Sequence, residues 1–518
     1  MLAERRQPMA TILRRTKKIV GRGSFLRPSA RSQMRAVRSD VSPTDLFIAE
    51  SKRPPEVGMY RISWTTMAAV VCVGAVVGCD DPRPTEPRLA APSFEKGSAD
   101  PAVDALISEV RKLAAAQKIG PLPTTSRIRQ PLVDLGRDLA FDKVLSGGRD
   151  ISCMTCHVPG FATGDGKSLS VGQGGSGLGP ARSHPQGVFI PRNAPPLFNL
   201  GAMRRLFWDG RVQMDNAGDI HTPAGAQITP EMRKVLEFGP TSAIGLFPVT
   251  NRAEMRGQSG NELAAIPDSD APAIWQGLMA RLGAIPEYRA KFQAAYPGTP
   301  FETMTFAHAS NAIGAFFVQE LTFTNAPWDR FIGGDNNALN SRQLEGAKTF
   351  LSLRCVQCHN GPTFSDQEFH NVAVAQIGPG QGNGATGFDD FGRVNVTGDD
   401  ADRYRFRTTP LRNVELTGPY GHDGSILTLR AFIEHYSESH KKLLEFDPSA
   451  LEPSLRTTLV PNALDILARR DPILDGVVLP DAIVDKLMDY MSALTDDAAR
   501  NIRHVAPTRV PSKLPVDR

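Results

Sequence analysis

The chain has 518 residues, of which 41% are hydrophobic and 22% charged, with six cysteines and a formal net charge of +4. This length provides for more than one average domain. Residues 1–79 carry 14 basic and five acidic groups, a charge of +9, which leaves −5 for residues 80–518. Most of the chain is therefore slightly acidic, which excludes a nucleic-acid-binding protein with an extended basic surface.

Residues 1–58 do not resemble a folded domain, because they hold 13 basic residues and little apolar periodicity. We interpret them as a basic extension upstream of a true start at Met59; an unusually long basic n-region is the alternative. Residues 59–79 are predicted to be a lipoprotein signal peptide, since a short basic start precedes an apolar run too short to span a bilayer. The run ends in VVGC, so Cys79 is predicted to be lipidated; an ordinary secretory signal with an incidental cysteine is the alternative.

The first half of the remaining chain combines short helical patterns with long irregular stretches. Residues 80–100 are rich in proline and charge and are predicted to be a tether. Apolar spacing predicts helices over 103–113 and 132–141. The glycine-rich residues 164–187 are either a mobile flap or a surface loop, and residues 215–272 are irregular.

Helical spacing of apolar residues returns in the second half, around a predicted linker at 324–338 and an irregular stretch at 360–425. No segment shows a convincing strand period. The fold class is therefore predicted to be mainly α with long irregular loops. The predicted helices of this half cover residues 273–295, 303–323, 339–350, 429–436 and 483–494.

Two stretches of the form C-x-x-C-H, at 153–157 and 355–359, indicate the chemistry. Two thiols at this spacing can each form a thioether to a haem vinyl group, and the histidine that follows is then held as an iron ligand. A zinc site would pair two C-x-x-C units without a histidine directly after each. We predict two covalently bound haem c groups. Their ligands are Cys153, Cys156 and His157 for the first and Cys355, Cys358 and His359 for the second.

All six cysteines are thereby accounted for without a disulfide. Four bind haem, Cys79 carries the lipid, and Cys72 is removed with the signal peptide. Because haem attachment follows export, the mature protein is expected on the periplasmic side of a bacterial envelope, tethered to a membrane by its lipid.

Five further motifs accompany the C-x-x-C-H pair: RNAPP, FWDGR, a Glu-Met pair, IPEYRAKF and LRNVELTGPYGHDG. In this order they resemble the bacterial di-haem cytochrome c peroxidases and their relative MauG, over most of residues 130–495. The resemblance implies two cytochrome c-like haem domains. Residues 101–335 would form the peroxidatic domain and 336–500 the electron-transfer domain, before a tail at 501–518.

The resemblance also implies roles for single residues. Trp208, in FWDGR, corresponds to the tryptophan between the two haems, although core packing alone would also place an aromatic residue there. Glu254 corresponds to the distal acid–base, because a carboxylate can move a proton from one peroxide oxygen to the other. Glu231, in a similar Glu-Met pair, is the rival; Glu254 is favoured because it precedes the helix with IPEYRAKF.

The domain interface of the family carries a calcium site. The corresponding ligands here are Asn193 and the backbone oxygens of Thr417 and Pro419. Hard oxygen ligands of this kind suit Ca²⁺.

Two departures from the family pattern concern the iron ligands. Gln173 stands where classical peroxidases of the family have a ligating histidine, and an amide is a poor iron ligand; His184 is the possible substitute. Tyr436 stands where classical members have a methionine on the second haem and MauG has a tyrosine, with His435 as a second candidate.

Three functions follow as hypotheses. The first is a peroxidase that reduces hydrogen peroxide with electrons from a small cytochrome c or cupredoxin. The second, favoured by Tyr436, is a MauG-like oxidase acting on a protein or organic substrate. The third is a non-enzymatic electron carrier, which would need neither a distal carboxylate nor an open coordination position. A homodimer is one option for the assembly.

Overall fold

The structure, a computed structural model, describes residues 100–123 and 126–518. The predicted basic extension, the signal peptide, the lipidated Cys79 and nearly all of the tether lie outside these residues. The described residues belong to one unit, Leu89–Arg518. Within them, no helix is both long and apolar enough to cross a membrane.

The described residues are mainly helical, which confirms the predicted class. Short strands form a three-stranded antiparallel sheet, β1–β3, and a two-stranded pair, β4–β5. The helices are α1 Pro101–Ala116, α2 Gln130–Phe141, α3 Cys153–Cys156, α4 Pro230–Val235, α5 Pro240–Ala243, α6 Ala271–Gly283, α7 Pro286–Ala295, α8 Phe306–Glu320, α9 Pro327–Ile332, α10 Ser341–Ser352, α11 Val394–Thr397, α12 Leu429–His435, α13 Ser439–Leu444, α14 Ala463–Ala468 and α15 Asp481–Ala493. The strands are β1 Arg205–Leu206, β2 Val212–Met214, β3 Ile220–His221, β4 Phe369–His370 and β5 Phe406–Arg407.

Each segment predicted to be helical contains a helix, with two differences. The predicted helix 273–295 is broken between α6 and α7, because Pro286 disfavours helical backbone in the residue before it. The predicted linker 324–338 is wrong in part, since it contains α9, whose Trp328 and Phe331 are fully buried.

The buried apolar residues form two large cores. The first is built around α2 and α5–α8, and the second around α10, α12 and α15. Each end of the described chain packs in the core that is built mainly from the other half of the chain. Helix α1 lies in the range predicted for the first domain but packs on α10 in the second core. Ile502, Val505 and Val510 of the carboxy-terminal segment pack in the first core. The predicted domain limits themselves stay a prediction.

In each core, a close helix crossing near the candidate haem site depends on a glycine. Gly136 of α2 lies against the backbone of α8, where a Cβ would collide with the carbonyl oxygen of Ala312. Gly346 of α10 lies against α15, where a Cβ would collide with that of Lys486. Both α2 and α10 precede a C-x-x-C-H motif, so these crossings fix the approach of the chain to each candidate haem site.

We predict that Gly346→Ala destabilises the protein by about 2 kcal/mol or more, because the added methyl group must push α10 away from α15. The measurement is thermal unfolding of the haem-loaded protein. Gly120→Ala is the control, since a Cβ there meets no atom within 4 Å. Equal melting temperatures for both variants would contradict the account of the crossing.

Candidate haem sites

The first C-x-x-C-H motif lies on the wall of a cavity of about 140 Å³. Helix α3 places Cys153 and Cys156 on this wall, and His157 follows. The Nδ1 atom of His157 lies 2.9 Å from the carbonyl oxygen of Thr163, which leaves Nε2 as the ligating atom. Burial lowers the pKa of His157, so the imidazole is neutral, the form that binds iron.

The second motif repeats this arrangement in a larger cavity of about 350 Å³. Cys355, Cys358 and His359 line it, and Nδ1 of His359 lies 3.0 Å from the carbonyl oxygen of Phe364. Burial lowers the pKa of His359 as well. Each cavity therefore has mainly apolar walls that carry two thiols and one oriented, neutral imidazole. This donor set fits a covalently bound haem c.

Burial raises the pKa of Cys153 to about 12 and that of Cys355 to about 11. One of the other two thiols lies beside further possible metal ligands. The Sγ atom of Cys358 lies within 4.8 Å of ligand atoms of Asp366 and His370. Thioether formation consumes that thiol, so these three residues do not make a separate metal site in the haem-loaded protein.

Glu254 lines the first cavity and Glu231 does not. Glu254 lies in a π-helical turn, Arg252–Arg256, whose start is capped by the side chain of Asn251. Burial raises the pKa of Glu254, whereas Arg211, with Nη2 3.8 Å from Oε1, opposes the rise. Glu231 is exposed on α4. Of the two glutamates, only Glu254 can act on a molecule inside the cavity.

Trp208 lies between the two cavities and lines both of them. Its indole Nε1–H donates a hydrogen bond of 2.9 Å to the carbonyl oxygen of Asn193, and 8% of the residue is exposed. Asn193, Pro196 and Arg407 also line both cavities. These four residues therefore form the shared wall.

A buried ion network supports the shared wall. Arg192 donates to both carboxylate oxygens of Asp390, at 2.6 and 2.8 Å, and to Asp209 at 2.6 Å. Asp209 also accepts from Arg211, at 3.2 Å. Despite burial, these guanidinium groups hold the pKa of Asp209 and that of Asp390 below the usual range. Arg192 lies in the motif RNAPP, and Asp209 and Arg211 lie in FWDGR. No role was predicted for these three residues, although their position beside Asn193 and Trp208 was an available signal.

Arg182 holds the glycine-rich loop together from within. This buried guanidinium donates to the carbonyl oxygens of Val171, Gly172 and Gly177, at 2.7, 2.7 and 3.1 Å. A mobile flap and a surface loop both stay predictions for residues 164–187. Gln173 lines neither cavity; its backbone N–H donates to the carbonyl oxygen of Glu254 at 2.8 Å.

The position of Gln173 bears on the first iron. His184, the possible substitute ligand, is half-exposed and lines neither cavity. His157 is the one histidine on the wall of the first cavity in the described part of the chain. Met255 is buried on the same wall and is the residue there with a soft sulfur donor besides the two cysteines.

Tyr436 follows α12 and lines the second cavity, where burial raises its pKa. The rival His435 does not line it; its Nε2 lies 2.8 Å from the carbonyl oxygen of Val372. Met491 of α15 also lines this cavity. Tyr404 and Tyr420 line this cavity too, but their hydroxyl groups donate to Asp465 and to the carbonyl oxygen of Val414, at 2.9 Å each. Tyr436 and Met491 are therefore the candidates for a second ligand, as phenolate or thioether.

The three residues of the predicted calcium site all line the second cavity: Asn193, Thr417 and Pro419. The amide nitrogen of Asn193 donates to the carbonyl oxygens of Lys167 and Ser168, at 2.9 and 3.3 Å, which leaves its Oδ1 for another partner. This geometry is compatible with oxygen ligation, and the calcium ion stays a prediction.

Comparison with known proteins points to one family. The family model of the di-haem cytochrome c peroxidases matches residues 130–337. A cytochrome c551 peroxidase of Nitrosomonas europaea is 29% identical over 330 residues, which is 64% of this chain and 80% of that protein. A cytochrome c551 peroxidase of Pseudomonas aeruginosa is 31% identical, over 57% of this chain and 69% of that protein. The methylamine utilization protein MauG of Methylorubrum extorquens is 28% identical, over 68% of this chain and 78% of that protein.

The fold agrees with a solved structure of a MauG-like protein associated with microbial copper homeostasis. The TM-score is 0.50 at 24% identity, and the match covers 74% of this chain and 95% of the other. Together with the two haem cavities, these matches establish that the chain belongs to the di-haem cytochrome c peroxidase and MauG family. It is an oxidoreductase of the peroxidase type with two haem c groups.

We predict that the first haem is high-spin and open to peroxide in the resting ferric protein, because Gln173 lies off the cavity wall. Peroxide should then react without prior reduction. Electron paramagnetic resonance of the purified ferric protein checks this. Two low-spin ferric haems and no high-spin signal would contradict the prediction, and a thioether-to-iron charge-transfer band on the first haem would identify Met255 as its ligand.

Proposed function

We propose that the protein reduces hydrogen peroxide to water at the first haem, with electrons that enter through the second haem from a small cytochrome c or cupredoxin. The single observation that carries this proposal is Glu254 on the wall of the cavity that holds His157. A non-enzymatic carrier has no use for a buried carboxylate at that place, and the named relatives include cytochrome c peroxidases.

The proton chemistry belongs to Glu254. Its carboxylate takes a proton from the peroxide oxygen nearer the iron and returns it to the farther oxygen, which leaves as water. The haem iron supplies the redox chemistry that breaks the O–O bond. With two electrons and two protons delivered from outside, one peroxide gives two waters. Burial raises the pKa of Glu254, and Arg211 opposes this rise by favouring the ionised state that accepts the proton.

Trp208 supports electron transfer between the two haems. It is the aromatic residue on the wall shared by both cavities, so electrons from the second haem have a direct path to the first. Its indole hydrogen bond to Asn193 holds the ring in place.

One observation favours the second candidate function, a MauG-like oxidase that withdraws electrons from a protein or organic substrate. Tyr436 lies on the wall of the second cavity. A phenolate ligand is anionic and hard, so it stabilises oxidised iron and lowers the haem potential. A haem of that kind would accept electrons poorly from a high-potential cytochrome.

The remaining parts of the proposal concern location and assembly. Covalent haem c and a relationship to bacterial cytochrome peroxidases support a periplasmic protein. The VVGC site supports a lipid anchor at Cys79. A calcium ion at Asn193, Thr417 and Pro419 and a homodimer complete the proposal.

Glu254→Gln should bind peroxide but react at least ~100-fold more slowly, because the amide keeps the shape of the cavity and cannot accept the proton. Stopped-flow spectra of the ferric protein with peroxide measure this step. Glu231→Gln is the matched control and should behave as wild type, because Glu231 is exposed. Loss of the reaction in Glu231→Gln alone would reverse the assignment.

The rate of the peroxide step should also fall as pH falls through the pKa of Glu254, because only the ionised form accepts a proton. Burial raises this pKa and Arg211 lowers it. Arg211→Gln removes the opposing charge, so the acid limb of the pH–rate profile should move to higher pH. An acid limb at the same pH in both proteins would show that another group titrates there.

Tyr436→Met should raise the potential of the second haem and improve turnover with a reduced cytochrome, because a neutral sulfur replaces an anionic oxygen. Tyr436→Phe should leave that iron without its sixth ligand. A redox titration with ligand-sensitive spectra checks both variants. A high-potential haem with a thioether-to-iron band in wild type would instead identify Met491 as the ligand and favour an ordinary cytochrome c peroxidase.

A further inference from the structure

Arg407 is a buried cation that lacks a buried anion beside it. It is 6% exposed, at the end of β5. Its Nε donates to the carbonyl oxygen of Phe207 at 3.0 Å, and Nη1 to that of Thr408 at 3.2 Å. Among the described residues no carboxylate lies within ion-pair distance, and Asp209 acts on it only from farther away.

Two buried arginines of the region form ion pairs: Arg192 with Asp209 and Asp390, and Arg412 with Asp329. Arg182 and Arg393 are also buried and form no ion pair among the described residues, but they line neither cavity. A buried ion without a partner is costly, so an unpaired guanidinium on the wall of a cofactor cavity implies an anion from outside the polypeptide. Burial lowers the pKa of Arg407 to about 10, which still leaves the group charged at neutral pH.

The place of Arg407 indicates which anion this is. It belongs to the wall shared by the two haem cavities. Its backbone N–H donates to the carbonyl oxygen of Trp208 at 2.8 Å, so both the main chain and the side chain of Arg407 are anchored to the turn that carries the tryptophan. Haem c carries two propionates, which are its anionic groups at neutral pH, and a guanidinium fork is the preferred partner of a carboxylate.

We propose that Arg407 binds a haem propionate and holds its positive charge between the two haems. The proposal goes beyond the peroxidase function, because it requires only that the haems are bound. The propionate can come from the first haem, the second haem or one of each. A cation beside a haem stabilises the reduced iron, since reduction adds a negative charge. Arg407 should therefore raise the potential of each haem that it contacts.

The experiment is a redox titration of the haem-loaded protein and three variants, without peroxide. Arg407→Gln should lower the reduction equilibrium constant of the contacted haem at least tenfold, which corresponds to about 59 mV for one electron. Arg407→Lys should retain most of the wild-type value, since it keeps the charge. The control is Arg393→Gln. Arg393 is buried and donates to the carbonyl oxygens of Asp209 and Gly210, but it lines neither cavity.

The potentials of the two haems, measured separately, show which haem supplies the propionate. A shift confined to one haem assigns the propionate to it, and a shift of both assigns one propionate from each. The proposal is overturned if the reduction equilibrium constants of both haems in Arg407→Gln stay within threefold of wild type. An equal shift in Arg393→Gln also overturns it. Failure of the peroxidase function would not change these potentials.

If Arg407→Gln does not fold or does not bind haem, a comparison of wild type with Arg407→Lys tests the proposal instead. Resonance Raman spectra report the hydrogen bonding of propionates through their bending modes. A lysine offers fewer and differently directed donors than the guanidinium fork. We expect a shifted propionate band in Arg407→Lys. Identical bands together with identical potentials in the two proteins overturn the proposal.

Discussion

The buried ion pairs of Arg192 hold together the part of the molecule on which both haem sites depend. The guanidinium lies between Asp209, in the first half of the chain, and Asp390, in the second. Such a cluster is stable only while all its members are present, since loss of one leaves an uncompensated charge in a dry interior. Because Asp209 also binds Arg211, and Arg211 faces Glu254, the same cluster helps to position the carboxylate of Glu254.

The two histidines that would bind iron illustrate a second constraint. Both are oriented by a backbone carbonyl a few residues downstream, at Thr163 and at Phe364. These hydrogen bonds use only local chain geometry, so they can form at either site without help from the other. The cavities differ instead in their distal walls, where the first carries Glu254 and the second carries Tyr436. One scaffold thus provides two cavities with the same histidine arrangement, and this difference supports the separate roles that we propose for the two haems.

The features that the sequence predicted are those with local causes. The C-x-x-C-H spacing, the amphipathic helices and the closeness of Glu254 to the helix that follows are visible in short windows. Burial of Trp328 was missed because it depends on a core assembled from distant segments. The partners of Arg192 and the lack of one at Arg407 were missed for the same reason: Asp390 lies 198 residues beyond Arg192, and no periodic pattern reports such pairs.

The exchange of chain ends between the two cores has a consequence for biosynthesis. Helix α1 is synthesised long before its partner α10. The segment with Ile502 and Val510 is synthesised near the end of the chain and completes the first core. Neither core can therefore be completed until nearly all of the described residues have been made.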